Sequence, residues 1–193
     1  MKIGNGPLDL CIVEAHFKGE NGLSVSEIES VARDTLNFYP LGEIFHLDAV
    51  RSMELSSRRL ISKSNMGKLQ YNNMCQLRDC NHELEIYKKV FNIRVEENPD
   101  VVAVVGMFDG GYCRNRDKLI VCKADATILA HELGHALGLK HPFESCGSYL
   151  VDGSDIRNCQ SHVYTMCALC HFSLSTNFLP EDIAKLRREY LGK

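Results

Sequence analysis

The segment His131-Glu132-Leu133-Gly134-His135-Ala136-Leu137-Gly138-Leu139-Lys140-His141 constrains this chain more than any other. In a helix, residues four apart lie on one face, so His131 and His135 present their imidazoles side by side. Two neutral imidazoles at that spacing grip one zinc ion, and Glu132 reaches a water beside it. Gly138 accepts the left-handed backbone that closes many helices, so the chain can turn there and bring His141 back as a third nitrogen ligand. Three protein ligands and one open position make a catalytic zinc, whereas four closed ligands make a structural one. The plainer alternative is a helix whose histidines serve packing; Gly138 and His141 at fixed offsets make that coincidence rare.

A length of 193 residues suits a single domain with a sizeable core. The formal charge of -3, with acids and bases interspersed, leaves no footprint for nucleic acid or for an anionic membrane. No apolar run reaches bilayer length, and residues 1–7 carry neither the apolar stretch nor the cleavage pattern of a signal peptide. No propeptide is expected ahead of the first strand. A cytoplasmic location is expected if Met1 is the native start, an extracellular one if this is a processed mature domain; a monomer is expected.

Nine cysteines are many for a cytosolic enzyme, and an odd number leaves one unpaired in a secreted one. Cys11 lies in an apolar run and reads as a buried small residue. Cys75 and Cys80 bracket a short loop, and Cys113 and Cys122 a hairpin, so either pair suits a local disulfide. Cys146, Cys159, Cys167 and Cys170 end in a C-x-x-C. Those four suit a second, structural zinc, or disulfides in an exported protein, or plain reduced thiols; the three readings stay open. His162 and His171 flank the C-x-x-C and are further candidates for a second metal, while His16 and His46 read as structural and His82 as a surface residue.

In chain order, residues 8–15 read as a buried first strand, and Ser24 or Ser26 caps a helix to about Phe38. A second strand is expected over 44–50, a polar loop or surface insertion over 52–80, and a short helix over 83–90. Residues 101–108 are apolar on both faces and therefore central to a sheet. A hairpin around Asn115-Arg116-Asp117 follows, then a helix capped by Asp125 that carries the histidines. A loop-rich, cysteine-containing stretch leads to a last helix over 180–191, with Pro180 in its first turn and Lys185, Arg187 and Arg188 toward its C-terminal end. The expectation is an α+β domain spanning 1–193: a twisted, mostly parallel sheet with an antiparallel edge strand, packed on two helices, plus a small loop-rich C-terminal part ending in a helix. An upper part (1–141) and a lower part (142–193) would meet at a cleft holding the metal.

The pattern His-Glu-x-x-His-x-x-Gly-x-x-His, complete over 131–141, resembles that of the metzincin zinc peptidases, and the element order is similar to that of their compact catalytic domains. The resemblance implies a methionine turn beneath the zinc, for which Met166 is the one methionine after His141. It also implies that the sheet's edge strand pairs with an extended substrate, which points to Gly111, Tyr112, Cys113 and Arg114. A tyrosine ligand two residues past the methionine, present in some metzincin families, is not expected, since that residue is Ala168. Within the clan the cysteines give partial similarity both to pappalysins and to archaemetzincins; the latter carry a cysteine directly after the third histidine, where this chain has Pro142.

The expected activity is that of a zinc endopeptidase on peptide or protein substrates. Glu132 would serve as general base to a metal-bound water whose pKa zinc lowers to about 7. The alternatives are a non-cleaving, zinc-stabilised binding module, against which the intact Glu132 argues, and a zinc amidohydrolase acting on small substrates.

Overall fold

The computed structural model describes residues 3–47, 50–56, 80–108, 111–139 and 178–193, the side chains of 80–84 excepted. It is an α+β fold built on a mixed sheet of seven strands among the described residues. The strands are β1 (Ile3–Gly4), β2 (Leu8–Phe17), β3 (Phe45–Leu47), β4 (Val50–Leu55), β5 (Val101–Gly106), β6 (Gly111–Arg114) and β7 (Leu119–Lys123). Their order is β1-β3-β2-β5-β7-β6, with β4 also paired to β2. β2 runs parallel to β3, β4 and β5, and β5 parallel to β7. The two ends of the order, β1 and β6, are antiparallel to their neighbours.

Side-chain alternation along these strands divides the core in two. Leu10, Ile12, Val101, Ala103, Val105, Ile120 and Cys122 face α1 (Val25–Leu36), α2 (Leu41–Ile44) and α4 (Ala126–Ala136). Cys11, Val13, Ala15, Val102, Val104 and Val121 face Ile86 and Val90 of α3 (Cys80–Glu97). Every residue of β5 is buried, as its unbroken apolar run requires. The last helix, α5 (Pro180–Leu186), continues as a π-helical turn over Arg187–Leu191 and seats Leu186 in the first core.

Three expectations change. The second strand is two short strands: β3 pairs with Leu8 and Asp9, while β4 joins β2 higher up, from Ile12 to Phe17. β4 thereby occupies the start of the segment expected to be loop; its Met53 and Leu55 are buried, and Ser52 and Glu54 point to the other face. The helix expected over 83–90 runs over eighteen residues, Cys80–Glu97, with Ile86 and Val90 buried and Phe91 and Val95 exposed. The division into upper and lower parts depends on residues outside those described.

The helix carrying the histidines is fixed at its start by Asp125, whose Oδ1 accepts from the backbone N–H groups of Thr127 (2.9 Å) and Ile128 (3.1 Å). Asp125→Ala leaves both donors unpaired and is expected to cost about 1 kcal/mol of folding stability, read as a lower denaturant midpoint, with Asp125→Asn close to wild type. Equal midpoints for Asp125→Ala and wild type would show the cap to be redundant.

Candidate metal centre

α4 is apolar along most of its length and packs against α1, β6 and β7, which buries Ile128, Leu129, Ala130, Leu133 and Ala136. That packing carries polar side chains inside with it: His131 is 2% exposed and Glu132 3%. From the neighbouring helix, Thr35 Oγ1 donates to Val31 O at 2.7 Å and lies 3.3 Å from Ala126 O, binding α1 to the first turn of α4.

His131 and His135 meet edge to face, their ring centroids 4.7 Å apart, with the two Nε2 atoms separated by 3.1 Å. Two nitrogens on one tetrahedral zinc, each about 2.05 Å from it, would stand about 3.3 Å apart. The pair therefore fits such an ion with little adjustment. On its far side, the His135 Nδ1–H donates to Leu139 O at 3.0 Å. A carbonyl only accepts, so that bond fixes the proton on Nδ1 and turns the Nε2 lone pair toward His131. Burial lowers the His135 pKa, which favours the neutral ring that a metal ligand has to be.

The carbonyl of Leu139 is in place because the helix closes as a Schellman turn. Gly138 takes φ +83°, its N–H donates to His135 O, and the Leu139 N–H reaches back to Gly134 O, both at 2.9 Å. The Lys185 Nζ, from α5, donates to Gly138 O at 3.0 Å, and the Tyr190 hydroxyl to Leu137 O at 3.3 Å.

Glu132 sits under the edge strand. A Cβ built on Gly111 would stand 3.0 Å from Glu132 Oε1, 3.0 Å from Ile128 Cγ2 and 2.7 Å from Cys122 Cβ. β6 can lie this close to the carboxylate only because residue 111 has no side chain. Cys113 and Cys122 are free thiols; Cys122 stands opposite Gly111 and Cys113 opposite Ile120, so the hairpin does not join them in a cross-strand pair. Burial, helped by the Glu132 charge, pushes the Cys113 thiol up to about 12 and Cys122 well above its usual value, so both stay protonated.

The structure thus brings together His131, Glu132, His135 and the edge strand carrying Gly111, Tyr112, Cys113 and Arg114. His141, Met166 and the cysteines 146, 159, 167 and 170 lie outside the described residues, as do His162, His171 and Cys75. Among the described residues, no group of three or more histidine, cysteine or acidic side chains is arranged to hold a metal. His46 bonds to Gly6 O through Nδ1, and His16 to the buried Glu14 carboxylate, both at 3.0 Å. The sequence reading had no signal for the Leu139 carbonyl, since any residue supplies one, and read Lys185 only as a cation near a helix end.

Paired imidazoles and a buried carboxylate on a helix beside an edge strand fit the class of zinc metallopeptidases. The sequence model of Peptidase family M54 matches residues 48–176, about two thirds of the chain. The chain belongs to this family, the archaemetzincins, which are zinc metallopeptidases, and of the two families suggested by the cysteines this is the one that matches. The match holds although residue 142 is proline. No curated protein matches the chain.

Burial raises the Glu132 pKa from 4.5 to about 8 in the metal-free protein. Between those values the folded state keeps a proton that the unfolded state releases, so the stability present below pH 4.5 is lost as pH rises toward 8. Metal-free Glu132→Gln, neutral at every pH, should therefore have a higher Tm than the metal-free wild type at about pH 8 and the same Tm at about pH 4. Equal Tm values across that range would mean the carboxylate ionises in place without penalty.

Proposed function

We propose that this protein is a metzincin-like zinc endopeptidase in which His131, His135 and His141 hold one catalytic zinc and Glu132 is the general base. The observation that carries the reading is the 3.1 Å approach of two buried Nε2 atoms, one with its tautomer fixed by Leu139 O, next to a buried carboxylate. Membership of a zinc metallopeptidase family supports the metal, and a peptidase implies a peptide or protein substrate. When bound, zinc supplies a Lewis acid for the scissile carbonyl and acidifies water at its open position.

The remaining work belongs to the chain. His135 is oriented from behind by Leu139 O and stays neutral, as a ligand must. A dication beside Glu132 would draw its pKa down from the value that burial alone imposes, making it an acceptor at neutral pH. Glu132 then takes the proton of the attacking water and returns it to the leaving amine, so that water is divided between the new carboxyl and amino ends. β6 terminates the sheet order beside this carboxylate, and we assign it the substrate, held in extended form by backbone hydrogen bonds that tolerate many sequences. Met166 is proposed as the apolar floor below the histidines. The domain would be divided by the cleft between residues 1–141 and 142–193. The four later cysteines would hold a second, structural zinc, form disulfides or stay reduced thiols.

Glu132→Gln should retain zinc while kcat falls by roughly 10^2–10^4, the usual worth of a general base. His141→Ala should lose zinc itself. If Glu132→Gln cleaves unfolded protein like the wild type, the reading fails. A wild type that cleaves nothing, with or without a chelator, would leave the non-cleaving binding module; turnover confined to the shortest members of a peptide-length series would favour the small-substrate amidohydrolase. Zinc content of the purified protein separates one ion from two, and one ion with four oxidised cysteines would remove the second site.

A further inference from the structure

We propose that the C-terminal helix positions the metal centre through Lys185 and Tyr190, an inference that rests on the zinc-peptidase reading above. Three consecutive carbonyls in the turn that ends α4 each accept a side-chain donor. Leu137 O accepts from Tyr190, Gly138 O from Lys185, and Leu139 O from His135. The first two donors come from 53 and 47 residues further along the chain; the third belongs to a proposed zinc ligand.

The last carbonyls of a helix have no partner within it and form the negative end of its dipole, so an ammonium group is held there by charge as well as by a hydrogen bond. The tether is anchored at its other end by packing. Leu186 is fully buried in the core that holds Leu133, Ala136, Leu137 and Leu139, with Ile183, Tyr190 and Leu191 packed against it. Lys185 and Tyr190 are therefore delivered by a seated helix. Gly138, with φ +83°, is the pivot of the turn, and Lys185 Nζ stands 4.0 Å from where its Cβ would be.

Rotation about that pivot would swing the Leu139 carbonyl away from His135. Lys185 and Tyr190 oppose that rotation from outside the site. Lys185 and Tyr190 donate to carbonyls of the turn and act through it, as positioning residues. A mere brace would affect how much protein folds; a positioning pair affects how tightly the folded protein holds zinc.

The test uses the full chain as wild type, Lys185→Met, Tyr190→Phe, the double variant and Lys185→Arg. Zinc affinity is measured by competition with a chromophoric chelator, folding of the metal-free protein by circular dichroism, and kcat and KM on one peptide. The expected result for the double variant is zinc binding about 10-fold weaker, at the low end of what outer partners of metal ligands are worth. Each single variant should lose part of this, kcat should fall with KM within about twofold, and Lys185→Arg, which still donates to a carbonyl, should approach wild type. Zinc binding by the single and double variants within about twofold of wild type overturns the proposal, as does a loss that only tracks the folded fraction. A wild type that binds no zinc overturns the peptidase reading and this inference with it.

Discussion

The site depends on one constraint: α4 has to be buried, and its polar residues are buried with it. Ile128, Leu129, Leu133 and Ala136 place the helix between α1 and the β6–β7 hairpin, and that contact leaves His131 and Glu132 almost no water. An imidazole pair and a carboxylate in such surroundings are unfavourable unless something pairs with them. Desolvation accordingly pushes both groups toward neutrality, His135 downward and Glu132 upward. A divalent cation reverses the logic for the carboxylate and rewards neutral imidazoles, so the packing that makes the metal-free site unfavourable is what would make the loaded site tight.

Geometry near this helix follows from two glycines that act for different reasons. Gly138 is needed for its backbone angle, because the turn that presents the Leu139 carbonyl to His135 passes through positive φ. Gly111 is needed for its missing side chain, because β6 crosses the Glu132 carboxylate within 3.0 Å of where a Cβ would stand. One orients a proposed ligand and the other lets an edge strand reach the proposed base.

Much of this was legible in the sequence where the signal is local. The i, i+4 histidines, the Asp125 cap, the Gly138 exit and the apolar strand expected over 101–108 each declare themselves within a few residues, and each is present, the strand ending at Gly106. What was missed depends on contacts far apart in the chain. β4 does not read as a strand because Arg51, Ser52 and Glu54 dilute its pattern; Ser52 is accounted for only by Glu14, thirty-eight residues earlier, whose buried carboxylate it meets at 2.6 Å. α3 was cut short because Phe91 and Val95, left exposed, spoil the periodicity of its second half. The free thiols of the hairpin were misjudged because spacing does not reveal register: Cys122 faces Gly111, the one residue with nothing to bond.

The family match covers residues 48–176 and so contains the whole motif and the β6–β7 hairpin beside it, yet part of the packing around the motif comes from outside the match. α1 lies before residue 48 and packs against α4, with Thr35 Oγ1 against the Ala126 carbonyl. α5 lies after residue 176 and supplies both donors to the turn. Burial of Glu132, the lowered pKa of His135 and the position of the Leu139 carbonyl are thus set by packing that a motif alone does not encode. A helix of this kind can keep its pattern while the rest of the fold decides how far its imidazoles and carboxylate are stripped of water.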